Sequence, residues 1–322
     1  MNTVTTRIFL AHTPLQVFFV EKIIEQEKPQ KGIYILISSV VPANPNLFDK
    51  CILIPKKNGL LKLVKTFKAK LLLKKHTANN NASLFISHTS ALLDNYVYYS
   101  LKRQQPDLSV NFFYDGILYF YDYQEKYGKT HNIRKLIGFL VGINYHFEPR
   151  IVPFDLIDNG LIYTILSEFT LGDKGRHVEI ELQKKGYSTI KNNVLILGGK
   201  PSLLSHSEVR EIYARIIRLI SNVQNSTVFF KGHHADFSEN FKIANNDNMP
   251  FKDITQSNPI EEVVEKYAPS KIYSYPSSAL INLKAMYGNE IDIYCFYTKK
   301  KKEDLSKLLP IFEHMGINID LI

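Results

Sequence analysis

Short apolar runs rich in Val, Ile, Phe and Tyr alternate along this chain with longer stretches of helical periodicity. Few architectures accept that alternation. Strands of about four to eight apolar residues separated by helices pair in parallel, because each crossover helix carries the chain back to the same end of the sheet. The spacing predicts strands at residues 7–11, 32–40, 50–55, 83–87 and 109–114, with helices at 14–27, 60–75 and 89–104. A second series follows, with strands at 193–197, 227–231, 271–275 and 291–296 and helices at 205–221, 258–267, 277–287 and 302–314. The expected fold class is therefore α/β.

At 322 residues the chain is longer than one ordinary domain, and the two series divide it. Between them, residues 147–191 contain Pro149, Pro153, Gly160, Gly172, Gly175 and Gly186, which interrupt any long element. The boundary is expected near Gly186, giving domains of residues 1–186 and 187–322, with the last helix free to pack back on the first domain. Two such domains facing each other leave a cleft at the carboxyl ends of their strands, where open α/β sheets bind ligands.

Composition narrows the function classes. With 45% hydrophobic and 22% charged residues the balance is that of a folded globular chain, which excludes a disordered tether. Cys51 and Cys295 each sit in an apolar run, where buried reduced thiols are expected, and this fits a reducing cytoplasm. No charged-then-apolar leader opens the chain and no apolar stretch approaches the ~20 residues that cross a bilayer. A soluble or peripheral protein is expected, and a homo-oligomer is compatible with it. The formal charge of +9 admits nucleic acid, an anionic membrane or an anionic small substrate as partner. Nucleic acid is disfavoured, because the tyrosines and phenylalanines mostly lie inside strand runs instead of alternating with basic residues. Lysines concentrate at residues 56–75, interleaved with Leu60, Leu61, Val64, Phe67 and Leu71. This is either an ordinary helix with one buried stripe and a solvated basic face, or a helix that lies on acidic lipid at the inner membrane.

Four strand exits carry side chains able to do chemistry. The apolar run Phe112-Phe113-Tyr114 ends in Asp115-Gly116. A carboxylate held partly desolvated at a strand end gains basicity and can serve as a general base, while Gly116 lets the chain turn tightly and leaves room for a sugar; Asp-Gly is also a common plain turn. The run 227–230 discharges into Lys231-Gly232-His233-His234. His233 can hydrogen-bond a departing phosphate and Lys231 adds positive charge. His233, His234 and Asp236 could instead hold a metal, but adjacent residues point to different sides and no third ligand stands at helical spacing. The third exit is Tyr275-Pro276-Ser277-Ser278, where Ser277 suits an N-cap and the first amides of a helix offer an anion site, or merely a capped helix. The fourth is Gly198-Gly199, whose amides could approach a nucleotide. Glu261, in the first turn of a nearby helix, either meets the helix dipole or accepts from ribose hydroxyls.

The chain lacks GxxxxGK[ST], GxGxxG, CxxC and HExxH patterns, and it has no convincing Asp-x-Asp motif. Kinase, dehydrogenase and zinc-enzyme readings lose support accordingly, and no metal or other cofactor is expected.

The strand-exit residues, in this order, resemble the motifs of bacterial sialyltransferases of the two-domain GT-B type, particularly glycosyltransferase family 52 and its relatives among the capsular polysialyltransferases. Their acid-acid-Gly, His-Pro and Ser-Ser motifs match Tyr114-Asp115-Gly116, Gly232-His233-His234 and Pro276-Ser277-Ser278, with Tyr114 and His234 departing from the pattern. The turn Ala11-His12-Thr13-Pro14-Leu15-Gln16 looks like the family's first strand-to-helix turn. The resemblance implies a GT-B fold of two Rossmann-like domains and an inverting transfer of sialic acid from CMP-sialic acid to a cell-surface glycan such as lipooligosaccharide or capsule. It implies Asp115 as base and His233 on the departing phosphate, with Lys231, Pro276, Ser277, Ser278, Gly198, Gly199 and Glu261 around the donor. Thr13 and Gln16 would face the sugar or acceptor. The rival readings are a GT-B transferase using CMP-Kdo, another nonulosonic acid or a UDP-hexose, and a non-catalytic polyanion-binding protein.

Overall fold

Strands β1 (Thr5–Ala11), β2 (Gly32–Ser38), β3 (Lys50–Leu53), β4 (Ala82–Ile86), β5 (Ser109–Phe113), β6 (Ile162–Thr164) and β7 (His177–Glu179) form one sheet in the order β3-β2-β1-β4-β5-β6-β7. Every pairing in it is parallel. These positions come from a computed structural model, which describes residues 5–27, 32–56, 59–78, 82–157, 159–184, 186–198, 206–221, 226–232, 251–255, 258–297 and 307–321. The chain divides into two compact units, Met1–Glu181 and Leu182–Ile322.

In the first unit, the central strands are buried along most of their length, as parallel strands covered on both faces must be. Phe9 stacks on Phe85 across β1 and β4, with ring centroids 4.3 Å apart. Helix α1 (Pro14–Glu27) follows β1 directly. Pro14 is pre-set for the first helical position, and the Thr13 hydroxyl accepts from the Gln16 backbone N–H at 3.2 Å, so the turn is capped by its own sequence. The other helices are α2 (Gly59–Thr77), α3 (Leu92–Tyr96), which continues through a π turn (Val97–Leu101) into α4 (Lys102–Gln104), and α5 (Lys129–Leu140).

The second unit repeats the plan with β8 (Ile190–Leu197), β9 (Thr227–Lys231), β10 (Lys252–Asp253), β11 (Pro269–Ser274), β12 (Asp292–Tyr297) and β13 (Asn318–Leu321), in the order β10-β9-β8-β11-β12-β13. All of its pairings are parallel. Its helices are α6 (His206–Ser221), α7 (Ile260–Tyr267), α8 (Ser278–Tyr287) and α9 (Leu309–His314). Ile212, Ile216 and Ile220 recur every fourth residue of α6 and seat that helix on Val194, Val228 and Phe230 of the sheet.

Cys295 is buried as expected, but Cys51 is exposed. The apolar run around Cys51 forms β3, an edge strand whose side chains are largely open to solvent, so an apolar neighbourhood in sequence did not become burial. Four strands fall outside the expected set: β6 and β7, three residues each within the Pro- and Gly-interrupted region, the two-residue β10, and β13 at the chain's end.

Candidate active site

In the first sheet the chain runs outward from β1 to β2 and β3, then returns to β4 on the other side of β1. The carboxyl ends of β1 and β4 flank this reversal, the place where ligands bind in such sheets. The first residue after β1 is His12, and His88 stands two residues beyond β4. Their rings are 6.5 Å apart, centroid to centroid. Asp115 leaves the next strand, β5, at the same end.

Tyr114 and Asp115 follow β5 and part ways there: the first packs inward and the second stays partly exposed. Tyr114 is fully buried, its ring edge-on to Phe19 at 4.9 Å. Asp115 then turns the chain out, with Gly116 at φ +71° opening a short 3-10 turn (Gly116–Tyr119). That φ lies in the left-handed region where glycine meets no steric penalty.

Asp115 is held on one side only. Its Oδ2 accepts a hydrogen bond from Gln16 Nε2 at 2.8 Å, and His88 Nε2 stands 3.8 Å from the same oxygen. Among the described residues, Oδ1 accepts no hydrogen bond. Gln16 itself is buried and accepts from the His12 backbone N–H at 2.5 Å, so the β1–α1 turn is wired to the end of β5. The Ser90 backbone N–H donates to His88 Nδ1 at 3.3 Å, which puts the proton of a neutral ring on Nε2, toward Asp115.

His12 is paired elsewhere. Its Nε2 lies 3.1 and 3.0 Å from the two oxygens of Asp94, whose side chain is fully buried in α3. Burial by itself pulls an imidazole pKa down. Here the Asp94 charge, its hydrogen bond and the nearby Asp115 outweigh burial and the opposing Lys62, so the His12 pKa is raised above 6.5. Tyr119, which donates to the Ser87 carbonyl at 2.8 Å, is held well above its ordinary range by burial and then by Asp115 and Asp94. It remains a neutral phenol beside two carboxylates.

The second sheet has the same reversal between β8 and β11. Gly198 closes β8 and donates its N–H to the Lys231 carbonyl at 2.9 Å. Ser277 caps α8, its hydroxyl accepting from the Ala279 N–H at 3.2 Å, and Ser278 opens the helix. Pro276 precedes them in the β11–α8 turn. Lys231 ends β9 with 7% exposure, and Glu261, in the first turn of α7, has 3%. Burial lowers the Lys231 pKa while Glu261 acts to raise it. Burial likewise raises the Glu261 pKa, opposed by a 2.7 Å hydrogen bond from Asn282, by its own backbone and by Lys231. His233 and Gly199 lie outside the described residues.

Thr13 and Gln16 belong to the β1–α1 turn, the first as its cap and the second as the tether of Asp115. In the sequence His12 stands out only as part of this turn, and His88 and Asp94 do not stand out at all. The signal for the two histidines was position: a polar residue just past each strand that flanks the reversal. Asp94 had none, since a single acid early in a helix is ordinary. Among the described residues, no group of three or more His, Cys, Asp or Glu side chains could hold a metal ion.

No family model matches the chain, and no curated protein matches it in sequence. Solved structures do. An α/β-galactoside α-2,3-sialyltransferase from Photobacterium phosphoreum superposes with a TM-score of 0.63 over 99% of this chain and 98% of that one, at 13% identity. The GT-B domain of a sialyltransferase from Photobacterium damselae gives 0.56 over 99% and 100%, at 12% identity. The fold is GT-B. It is also shared with a UDP-GlcNAc 2-epimerase from Methanocaldococcus jannaschii, with a TM-score of 0.54 over 99% of this chain and 89% of that one, at 9% identity.

Proposed function

We propose that this chain is a glycosyltransferase that moves a sialic-acid-type sugar from its CMP donor to a hydroxyl of a cell-surface glycan, inverting the anomeric centre without a metal. The observation that carries the reading is Asp115: a carboxylate just past β5, one strand from the sheet reversal, tethered through Oδ2 by Gln16 and with no hydrogen bond to Oδ1 among the described residues. A base in that state can take the proton of an acceptor hydroxyl without losing its orientation. The acceptor oxygen then forms its bond to the anomeric carbon as the bond from that carbon to the CMP phosphate breaks. The electron pair leaves with CMP, and His233 stabilises or protonates the departing phosphate. Lys231 and the capped start of α8 at Ser277 and Ser278 supply the remaining positive field, which is why no metal is called for. Gly198, Gly199, Pro276 and Glu261 belong to the donor side of the same reading. The fold likeness to two sialyltransferases, together with the motifs Tyr114-Asp115-Gly116 and Pro276-Ser277-Ser278, supports sialic acid as the sugar.

The test is transfer from labelled CMP-sialic acid to a panel of glycan acceptors, with the product read by mass. Asp115→Asn keeps the shape and loses the base, so turnover is expected to drop by at least ~100-fold with an unchanged melting curve. His233→Ala is expected to lose a similar factor, and wild-type turnover should survive EDTA. Full activity in either variant, or loss with EDTA restored by Mn²⁺, overturns the assignment. The likeness to a UDP-GlcNAc 2-epimerase favours one further reading, the same fold with another donor such as a UDP-hexose, CMP-Kdo or another nonulosonic acid. Calorimetric titration with CMP, UDP and GDP separates the nucleotide classes, and UDP binding without CMP binding selects the second reading.

A further inference from the structure

Helix α2 is built inside out. Its buried stripe is Thr66, Ala69, Leu73 and Thr77, spaced at helical intervals and mostly small. Its large apolar side chains Leu60, Val64, Phe67 and Leu71 recur at the complementary positions and are 76%, 43%, 44% and 48% exposed. At about 100° per residue the two stripes point in nearly opposite directions. A helix that only covered the sheet would have the reverse arrangement.

Helix α5 repeats the inversion. It buries His131 and Gly138, while Ile133, Leu136, Phe139 and Leu140 are 57%, 61%, 81% and 60% exposed. Gly138 is required where it is, because a β-carbon there would come within 2.6 Å of the Ile143 carbonyl. Lys70 links α2 to the turn that follows α5: its Nζ donates to the carbonyls of Val141 and Gly142, at 3.1 and 2.7 Å. Together the two helices hold more than half of the exposed large apolar side chains among the described residues.

Charge selects what this face meets. Neither helix contains an aspartate or glutamate. The exposed Lys68, Lys74 and Lys75 flank the apolar stripe of α2, and the exposed Lys129 and Lys135 lie along α5, whose Arg134 is instead paired with Glu125 at 3.7 Å on its inner side; the whole chain carries a formal charge of +9. Large aliphatic and aromatic side chains framed by lysines, with no acid among them, match a surface whose interior is hydrocarbon and whose headgroups are anionic; the long lysine stems reach back to those headgroups. No described helix is long and apolar enough to cross a membrane.

We propose that α2 and α5 form a docking face for an anionic lipid bilayer, with Leu60, Val64, Phe67, Leu71, Leu136 and Phe139 entering the headgroup region and Lys68, Lys74 and Lys75 on the headgroups. Co-sedimentation of the full chain with phosphatidylcholine vesicles, with and without phosphatidylglycerol, tests this independently of any enzymatic activity. Binding is expected only to the anionic vesicles, and to weaken steeply with salt. Lys68→Gln, Lys74→Gln and Lys75→Gln together should lower partitioning by ~100-fold, at roughly fivefold per basic residue. Leu136→Ser with Phe139→Ser should lower it by about tenfold or more. Lys252→Gln, Lys266→Gln and Lys307→Gln, three exposed lysines of the second unit, should leave it nearly unchanged and so separate a local face from bulk charge. Equal binding to neutral and anionic vesicles, equal losses from the two lysine sets, or no binding at low salt would each refute the proposal. If the chain instead forms dimers in sedimentation velocity that Leu136→Ser and Phe139→Ser abolish, with no vesicle binding, the occupant is a second copy and the lipid proposal is wrong.

Discussion

Replacing Asp94 with Asn keeps the shape of the side chain but removes the charge that holds the His12 imidazole. Both Asp94 oxygens lie within 3.1 Å of His12 Nε2, and the carboxylate is fully buried while the imidazole is 24% exposed. Removing one partner of a buried pair costs about 3–5 kcal/mol when the survivor stays charged. His12 can lose its proton and is partly hydrated, so Asp94→Asn is expected at about 1–2 kcal/mol, whereas His12→Ala strands the buried carboxylate at about 3 kcal/mol. The pH dependence has a definite sign. The folded His12 pKa is raised above 6.5, so the pair's contribution is full below about 6.5 and is lost as pH rises through the folded value. Two measurements follow: the His12 ring titration by NMR, and a double-mutant cycle of His12→Ala and Asp94→Asn in urea at about pH 6 and about pH 9. The wild-type ring should titrate above 6.5, and in Asp94→Asn below it, since burial then faces only the weaker pull of Asp115. The coupling energy should shrink at the higher pH. A wild-type ring at or below 6.5, or a coupling unchanged with pH, would show that the pair is not the ion pair described.

Gln16→Ala frees Asp115 Oδ2 without touching the proposed base itself, so transfer should fall by about tenfold with a stability change near 1 kcal/mol; unchanged turnover would mean the tether does not orient the carboxylate. Ser277→Ala removes the α8 cap, and a loss of about 1 kcal/mol in stability together with weaker CMP binding in calorimetry is expected; the stability loss without any change in CMP affinity would reduce Ser277 to a plain cap.

Much of the architecture was legible because it rests on local rules. The helix Pro14–Glu27 and the strand Thr227–Lys231 lie where the periodic and apolar runs of the sequence put them. The short strands Ile162–Thr164 and His177–Glu179 were not legible, since three residues carry no periodicity and exist as strands only because β5 offers an open edge. Helix α5 was passed over for a related reason: its apolar side chains mark its outer face, and the buried positions that seat it, His131 and Gly138, do not read as a core stripe.

Taken alone, the amino-acid order determined the α/β class, the run of strands and helices, and the placement of Asp115 and Ser277 immediately past strands, because each depends on neighbours within a few residues. Tertiary structure alone decided the rest. It brought Asp94 to His12 and Gln16 to Asp115 across 82 and 99 residues, and it turned the large side chains of α2 and α5 outward. The physical reason is the same in each case: which residues meet, and which face is covered, depends on how strands are ordered in the sheet, and that order is an energy of the whole packed unit rather than of any segment.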